Sequence, residues 1–245
     1  MSMFNREDEY IKILAERTHT IKELAEKLFI SEPTVRRDIV QLKKKELVLC
    51  TSGKVSLKIS APDRRIPMFV RDYENNEAKK IMASKAAEYI HDGDVIMLDA
   101  STSAYAILPH LSQFKNILVI TNGAKTSISL SAMGIKNVCT GGNATHESFA
   151  FIGPDAERTL ANYNANIAFF SCRGINEKGI VSDNSIYENN IRRIMISRSQ
   201  KNILLCDSSK LNHTYLHTLC NIKTLDAIIS EKTLPESLSL PIRAD

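Results

Sequence analysis

The sequence predicts a small winged helix-turn-helix domain at the N-terminus, followed by a larger α/β domain. A short basic helix starting near Ser31, a pair of β-prone runs around a glycine, and a later alternation of short apolar runs with helical stretches indicate this fold class. A chain of 245 residues has room for two hydrophobic cores. We expect the winged helix over residues 1–58, a linker over 59–76 and the α/β domain over 77–245.

The first two helices are predicted from their apolar spacing. Ile11, Leu14 and Ala15 mark the inner face of the first helix. The second helix begins at Thr20 and Glu23, which stand at the spacing of a capping box. Its buried stripe is formed by Ile21, Leu24, Ala25 and Leu28.

The third helix follows after a tight turn. Ser31 is a good N-cap residue, and Pro33 falls in the first turn, where a missing N–H costs nothing. Val35, Ile39 and Leu42 then recur as one apolar stripe that fits a helix packed on a small core. Two helices joined by such a turn, with the second one basic, form a helix-turn-helix.

Arg36 and Arg37 lie off the apolar stripe, near the positive end of the third helix. A helix that presents two arginines and Thr34 from its first turns has what major-groove reading requires. The alternative is that both arginines form surface ion pairs of little energetic weight. The acidic candidates for those pairs are Glu32, Asp38 and Glu46.

Positive charge is concentrated in one part of the chain. Between Pro33 and Lys58, seven Lys or Arg residues stand against two Asp or Glu, an excess that exceeds the net charge of +4 for the whole chain. This pattern fits a phosphate-binding surface, although a solvated basic helix face has the same composition. We expect Ser31, Lys44 and Lys54 to join the DNA contacts, the lysines through phosphates.

A hairpin is predicted after the third helix. Leu47–Leu49 and Val55–Leu57 are short β-prone runs, and Thr51–Lys54 between them contains a glycine. This hairpin supplies the wing of the winged helix.

Residues 5–57 resemble the N-terminal domain of DeoR-type transcriptional regulators. Leu24–Leu28 and Ser31–Ile39 match that family's pattern almost residue for residue. The wing departs from it, because the family usually carries an arginine, a histidine and a glycine pair where this chain has Cys50–Lys54. The resemblance implies a partner in double-stranded operator DNA.

The rest of the chain alternates short apolar runs with helical stretches, which is typical of an α/β domain with a mainly parallel sheet. A first helix is expected over Glu77–Ile90, with a mixed face that includes Ile81, Met82 and Tyr89. The predicted strands are Val95–Leu98, Ile117–Ile120, Val138–Cys139, Ile167–Phe170, Ile203–Cys206 and Ala227–Ile229.

Polar loops follow five of these strands, and ligands bind beyond the carboxyl ends of strands in open α/β sheets. Asp99 or Asp207 is suited to accept sugar hydroxyls, and Arg173 and Lys210 to neutralise a phosphate. The alternative is that the same residue types only cap helices and build turns. The loops are Asp99–Ser103, Thr121–Gly123, Thr140–Asn143, Ser171–Gly174 and Asp207–Lys210.

Residues 77–230 resemble the DeoR-type effector domain, whose fold is similar to that of ribose-5-phosphate isomerases. The resemblance implies a pocket for a phosphorylated sugar or related metabolite, with Glu188 at a further family position. The family's first loop reads D-x-G-T-T, whereas this chain has Ser101 and Ser103 at the third and fifth places, and Arg173 is outside the pattern. The implied pocket residues are Asp99, Ser101, Thr102, Ser103, Thr121, Asn122, Gly141, Gly142, Glu188, Asp207 and Lys210.

The remaining composition favours a cytoplasmic protein. Five scattered cysteines without a C-x-x-C pair indicate small buried thiols in a reducing compartment, and no apolar run is long enough to span a membrane. No cofactor, metal site or catalytic residue is predicted. We therefore expect a homo-oligomeric (dimeric or tetrameric) transcriptional regulator, a repressor of carbohydrate genes controlled by a phosphorylated sugar. The alternatives are an isomerase-like enzyme with a DNA-binding appendage and a larger domain that serves only oligomerisation.

Overall fold

The computed structural model describes residues 3–44, 47–57, 71–72, 74–145 and 148–238. The chain divides into two compact units between Glu74 and Asn75, and each unit is described by itself. Most of the predicted linker, residues 59–76, lies outside the described residues, so its limits stay a prediction.

The first unit is a winged helix-turn-helix, as predicted. Its strands form one antiparallel sheet in the order β1-β3-β2, in which β2 and β3 are the predicted hairpin. The short first strand was not predicted. The elements are α1 (Met3–Glu16), β1 (His19–Thr20), α2 (Ile21–Leu28), α3 (Glu32–Lys44), β2 (Val48–Thr51) and β3 (Lys54–Leu57).

Local sequence signals explain how α2 begins and how the wing turns. The Thr20 hydroxyl accepts a hydrogen bond from the Glu23 amide (3.2 Å) and the Glu23 carboxylate accepts one from the Thr20 amide (2.7 Å), so the capping box is confirmed. Ser52 and Gly53 both have positive φ (51° and 75°), which suits a tight hairpin turn. The core between helices and sheet includes Ile11, Leu14, Leu24, Val35, Ile39, Leu42 and Val55.

The second unit is an α/β domain built on a six-stranded parallel sheet in the order β14-β12-β9-β4-β5-β6. Its helices are α4 (Asn76–Ala87), α5 (Thr102–Tyr105), α6 (Leu108–Leu111), α7 (Ala124–Ala132), α8 (Pro154–Ala161) and α9 (Ile186–Arg198). The sheet strands are β4 (Val95–Leu98), β5 (Leu118–Thr121), β6 (Asn137–Cys139), β9 (Ala165–Ser171), β12 (Ser199–Leu205) and β14 (Ala227–Ile229).

Helices cover both faces of this sheet, because successive strand side chains point to opposite sides. Leu98 and Phe169 pack with the helices α4, α6 and α7 in one core cluster. Met97 and Phe170, their neighbours in sequence, belong to a second cluster with α8 and α9. The three-layer arrangement brings the carboxyl ends of all six strands to one edge of the sheet.

Several features of this unit differ from the predictions. Met82 on α4 is buried, but Ile81 and Tyr89 are exposed, because the inner face of that helix is completed by alanines instead. The cysteines are also not uniformly buried, since Cys139 and Cys220 of this unit are only partly buried and Cys50, in the first unit, is exposed. The antiparallel strands β7 (Asn143–Ala144), β8 (Phe151–Ile152), β10 (Gly174–Ile175), β11 (Ile180–Asp183) and β13 (His217–Asn221) were not predicted.

Candidate nucleic-acid interface and effector site

Helix α3 has one buried side and one exposed basic side. Val35, Ile39 and Leu42 are buried in the core, whereas Arg37 and Lys44 are exposed. Since these two groups differ by about half a turn, the helix presents its cations directly away from the core. The exposed side is therefore free to face a partner.

The start of α3 is set by Ser31, as predicted. The Ser31 carbonyl accepts the Val35 amide hydrogen (3.1 Å), and its hydroxyl lies 2.9 Å from the Thr34 hydroxyl. Both hydroxyl groups therefore sit at the exposed N-terminal end of the helix, near the arginines.

The structure decides between the possible ion pairs of the α3 arginines. Arg36 lies 3.6 Å from Glu32, and both side chains are largely exposed (66% and 44%), so the pair contributes little stability. Asp38 is buried and instead accepts hydrogen bonds from Arg6 (3.0 Å) and Tyr10 (3.3 Å) of α1.

Two other predicted DNA contacts of this unit, Arg37 and Lys54, are exposed. Within the described residues Arg37 forms no ion pair, and Glu46 lies outside them. Lys54, in the wing, is exposed and pairs through its backbone with Thr20. Its contact with a DNA phosphate, like that of Lys44, stays a prediction.

The centre of the loop cluster in the second unit is Arg192 of α9, which was not predicted. Its guanidinium group is buried and donates to Asp99 (2.9 Å), Asp183 (2.8 Å) and Glu188 (3.2 Å). Glu188 also accepts a hydrogen bond from the Ser148 hydroxyl (2.8 Å). The one arginine thus joins the first predicted loop, β11 and α9.

Burial and neighbouring charge act in opposite directions on Asp183 and Arg192 of this cluster. Burial raises the pKa of Asp183, but the adjacent Arg192 outweighs it, so the pKa lies below its ordinary value. Burial lowers the pKa of Arg192, and the three carboxylates more than reverse this effect. A single cation among three carboxylates leaves the cluster with a negative excess.

Lys210 forms a second, smaller charge cluster at the end of β12. Its ammonium group donates to the Ser171 hydroxyl (2.8 Å) and lies 3.3 Å from Asp207. Burial lowers the pKa of Lys210, but Asp207 raises it above its usual value. Asp207 also accepts a hydrogen bond from Asn75 (3.1 Å), a residue that sequence analysis missed.

Two thiols lie beside Lys210 at the ends of β9 and β12. A hydrogen bond with Cys172, together with burial, raises the pKa of the Cys206 thiol well above its usual value. Since a thiolate is the nucleophilic form, this environment makes Cys206 unreactive.

Some predicted pocket residues stabilise the local backbone conformation. Ser101 caps α5 by accepting the Ala104 amide hydrogen (3.1 Å), and the Thr121 hydroxyl accepts that of Gly123 (3.0 Å). Gly142 has φ of 108°, and a Cβ there would lie 2.8 Å from the Ile152 carbonyl, so glycine is required for packing. Neighbouring Gly141 also has positive φ (63°). These four residues therefore have structural roles whether or not a ligand binds.

Three other side chains leave buried oxygens without a protein partner among the described residues. They are Ser103 Oγ, Asn122 Oδ1 and Thr126 Oγ1. A Cβ at Gly123 would lie 2.8 Å from Thr126 Oγ1 and 3.3 Å from the Ala100 Cα. Gly123, in the second loop, therefore lies close both to Thr126 and to the first loop. Buried polar atoms are normally satisfied, so these oxygens indicate a place for a polar ligand or water. Thr102 is buried beside Ser103.

Arg173 differs from the other cations of the loop cluster. It lies in the turn between β9 and β10, half-buried, with its guanidinium carbon 5.7 Å from the centre of the Tyr215 ring. It forms no ion pair with any carboxylate within the described residues, although its charge helps to lower the pKa of Asp183. Its positive charge is therefore available.

Sequence analysis missed Arg192, Asp183, Thr126 and Asn75. A signal existed for Arg192, because Glu188 precedes it by one helical turn. Asp183 is the last residue of β11, a strand that was itself not predicted, and Asn75 fell in the expected linker.

Among the described residues, no group of three or more His, Cys, Asp or Glu side chains is arranged to hold a metal ion. In the same part of the chain, no helix is both long and apolar enough to cross a membrane.

A winged helix-turn-helix with an exposed basic helix, joined to an α/β domain, defines a DNA-binding transcriptional regulator. Residues 6–58 match the family described as the DeoR-like helix-turn-helix domain, and residues 74–232 match the DeoR C terminal sensor domain. The chain belongs to the DeoR family of transcriptional regulators.

Relatives of similar length support this assignment. The chain is 32% identical over 236 residues to an uncharacterized HTH-type transcriptional regulator, YulB, of Bacillus subtilis, a match that covers 96% of this chain and 91% of that protein. It is 27% identical to a putative aga operon transcriptional repressor of Escherichia coli O157:H7, over 84% of this chain and 77% of the relative.

One solved structure shows likeness in fold at a TM-score above 0.5. The eIF2B delta protein from Chaetomium thermophilum matches with a TM-score of 0.51 at 16% identity, over 68% of this chain and 60% of that protein. Ribose 5-phosphate isomerase A from Methanocaldococcus jannaschii matches with a TM-score of 0.43 at 18% identity, over 56% and 55% of the two chains.

Proposed function

We propose that the chain represses carbohydrate genes by binding an operator through α3 and is controlled by a phosphorylated sugar bound in the loop cluster of the sensor domain. The observation that carries the DNA half of the proposal is the exposed basic side of α3. Arg37 and Lys44 have no acidic residue on their side of the helix, so they are available for phosphates or base edges.

Arg36 joins this surface at little cost. Its exposed pair with Glu32 has little energetic weight and is readily exchanged for a contact to DNA. Ser31 and Thr34 lie at the same end of the helix and are suited to hydrogen-bond the sugar-phosphate backbone.

One small domain makes too few phosphate contacts for useful affinity at cellular salt. A homo-oligomer, a dimer or tetramer, would place two α3 helices on paired half-sites. We therefore include self-association in the proposed function.

In the sensor domain, the distribution of charge identifies where a phosphate would bind. The charge of Arg192 is neutralised by three carboxylates and that of Lys210 by Asp207, whereas Arg173 has no acidic partner within the described residues. A phosphate near Arg192 alone would meet repulsion from the acidic excess. Arg173 is therefore the residue best placed to bind the phosphate.

The hydroxyl groups of the sugar would hydrogen-bond to the neutral and acidic side chains of the loop cluster. Carboxylates such as Glu188 accept hydrogen bonds from hydroxyl groups, and the unpartnered oxygens of Ser103, Asn122 and Thr126 supply further partners. Both parts of the ligand would thus find matching groups in the strand-end loops and in the first turns of α7 and α9.

A thermal-shift screen tests the effector half. Phosphorylated sugars are compared with the same sugars lacking phosphate, because a ligand that binds only the folded state raises the melting temperature by mass action. We expect stabilisation by a phosphorylated sugar, and its loss in Arg173→Gln. Arg193→Gln is the matched control, since Arg193 is exposed and, within the part of the chain that the structure describes, donates hydrogen bonds to Asn190 and to the Thr218 carbonyl.

The screen also has a contrary outcome. If no sugar phosphate stabilises the wild-type chain, the effector half is wrong, and the sensor domain is better described as an oligomerisation module.

A further inference from the structure

Val40 is an apolar residue on the exposed side of α3. Its side chain is 52% exposed and takes no part in the core cluster of the first unit. The helix buries its other apolar residues, Val35, Ile39 and Leu42, on the opposite side. Core packing therefore does not explain a β-branched residue at this position.

The surroundings of Val40 are basic. Pro33, Arg37, Val40 and Lys44 follow one another at i, i+4, i+7 and i+11, so they form a single stripe along the helix. The two described acidic residues of α3 lie elsewhere, because Asp38 is bound to α1 and Glu32 is paired with Arg36. The stripe is therefore positive with one apolar side chain at its middle.

A partner for this stripe must be polyanionic and must offer an apolar group at one place. The DNA major groove has both properties, because its edges carry hydrogen-bonding groups and one apolar group, the C5-methyl of thymine. Most protein surfaces carry both acidic and basic side chains. A stripe that carries basic side chains and no acidic one is therefore a poor match for another protein.

We propose that Val40 contacts the C5-methyl group of a thymine in the operator and so determines specificity at that base pair. This inference rests on the proposed function, since it requires α3 to lie in the major groove. Arg37, one turn before Val40, then contacts the adjoining base or phosphate, and the two side chains cover neighbouring positions.

The test uses the full chain and a duplex selected by it from a random-sequence library. Each thymine of the selected operator is replaced in turn by deoxyuridine, which removes only the methyl group. For the wild type we expect one thymine in each half-site whose replacement weakens binding about three- to fivefold, the effect of losing one buried methyl.

Variants assign that effect to Val40. Val40→Ala should bind the unmodified operator about three- to fivefold more weakly and should no longer respond to the deoxyuridine replacement. Val40→Thr keeps one methyl group and should keep part of the response. Arg37→Ala should weaken binding and reduce the salt dependence while it leaves the response intact.

A loss of folding would not account for weaker binding by Val40→Ala. Val40 is half exposed, so its truncation should leave the melting temperature nearly unchanged. The inference is wrong if no thymine responds, or if Val40→Ala keeps the full response. It is also wrong if Val40→Ala binds DNA normally but changes self-association in sedimentation. A chain that selects no sequence at all would instead contradict the proposed function itself.

Discussion

Arg37 in the winged helix and Arg192 in the sensor domain place the same side chain in opposite environments. Arg37 is exposed and has no acidic partner within the described residues, whereas Arg192 is buried against Asp99, Asp183 and Glu188. An exposed cation keeps its charge available for a macromolecule. A buried cation surrounded by carboxylates fixes the geometry of a site, and its charge is already used.

The difference shows that residue type alone does not identify a ligand contact. Lys210, a natural candidate for a phosphate from its sequence, is held by Asp207 and Ser171. Arg173, near the same strand ends, has no carboxylate partner in the described chain. The partner of each charge decides its role.

The largest expected effect comes from removing the buried cation. Arg192→Met leaves three carboxylates without their counter-charge, and we expect the sensor domain to lose about 3–5 kcal/mol of stability. Urea unfolding of the full chain, followed by circular dichroism, measures this loss.

Arg193→Met is the control for that variant, because it removes a neighbouring exposed arginine from the same helix. It should change stability by less than about 1 kcal/mol. Equal stability of the two variants would mean that the Arg192 cluster does not hold the domain together.

Removal of an exposed arginine from α3 should weaken DNA binding and leave stability nearly unchanged. Arg36→Ala and Arg37→Ala should each weaken operator binding by about 1–3 kcal/mol if the side chain contacts a base, with little change in melting temperature. Fluorescence anisotropy with a labelled operator measures the affinity.

Asp38→Asn is the contrasting variant in the same helix. It weakens the contacts with Arg6 and Tyr10 that join α3 to α1, so stability should fall without loss of a DNA contact. A large drop in melting temperature for Arg36→Ala or Arg37→Ala would assign those arginines a structural role instead.

A smaller effect is expected for Lys210, which is paired with Asp207 but lies in a loop that is predicted to bind the effector. Lys210→Ala should leave operator binding in the absence of effector unchanged and should reduce the effector response, whose coupling free energy is typically about 1–3 kcal/mol. Operator affinity with and without a sugar phosphate provides the measurement. An equal loss of affinity in both conditions would contradict the placement of Lys210 at the effector site.

The smallest effect concerns His19 of β1, which is buried in the first unit with its Nδ1 atom 3.9 Å from a Glu23 carboxylate oxygen. Burial lowers the pKa of His19 below its ordinary value of 6.5. The folded state therefore binds the proton less readily than the unfolded chain, so stability falls as the pH drops below about 6.5.

We expect the first unit to become less stable between pH 7 and pH 5.5, by about 1 kcal/mol or less. His19→Val should remove this pH dependence, since valine suits a buried strand position. Thermal melts at several pH values test this, and an unchanged pH dependence in the variant would exclude His19 as its cause.

The sequence predicted the regular parts of the fold because their signals are local. The capping box at Thr20 and the turn at Ser52 and Gly53 depend on neighbouring residues, and the apolar runs of the parallel sheet are continuous. The antiparallel strands were missed because they have only two to five residues each. The predicted face of α4 included Ile81, which is exposed in the structure. Alanines, which give little sequence signal, complete the core on the inner face of the helix instead.

The sites divide in the same way. The exposed basic side of α3 could be predicted because it lies on one helix, where spacing fixes which residues share a side. The loop cluster of the sensor domain is centred on Arg192, which is separated from its partner Asp99 by 93 positions in the sequence. Which cation of the loop cluster stays unpaired is likewise set by the tertiary fold, so periodicity and loop composition do not reveal it.

The most direct test of the account is a titration of phosphorylated sugars into the complex of the full chain with its selected operator. The account predicts that at least one phosphorylated sugar changes operator affinity several-fold or more, and that Arg173→Gln removes this response while it keeps operator binding. If no phosphorylated sugar changes the affinity, or if Arg173→Gln responds like the wild type, the proposed link between the loop cluster and the operator is contradicted.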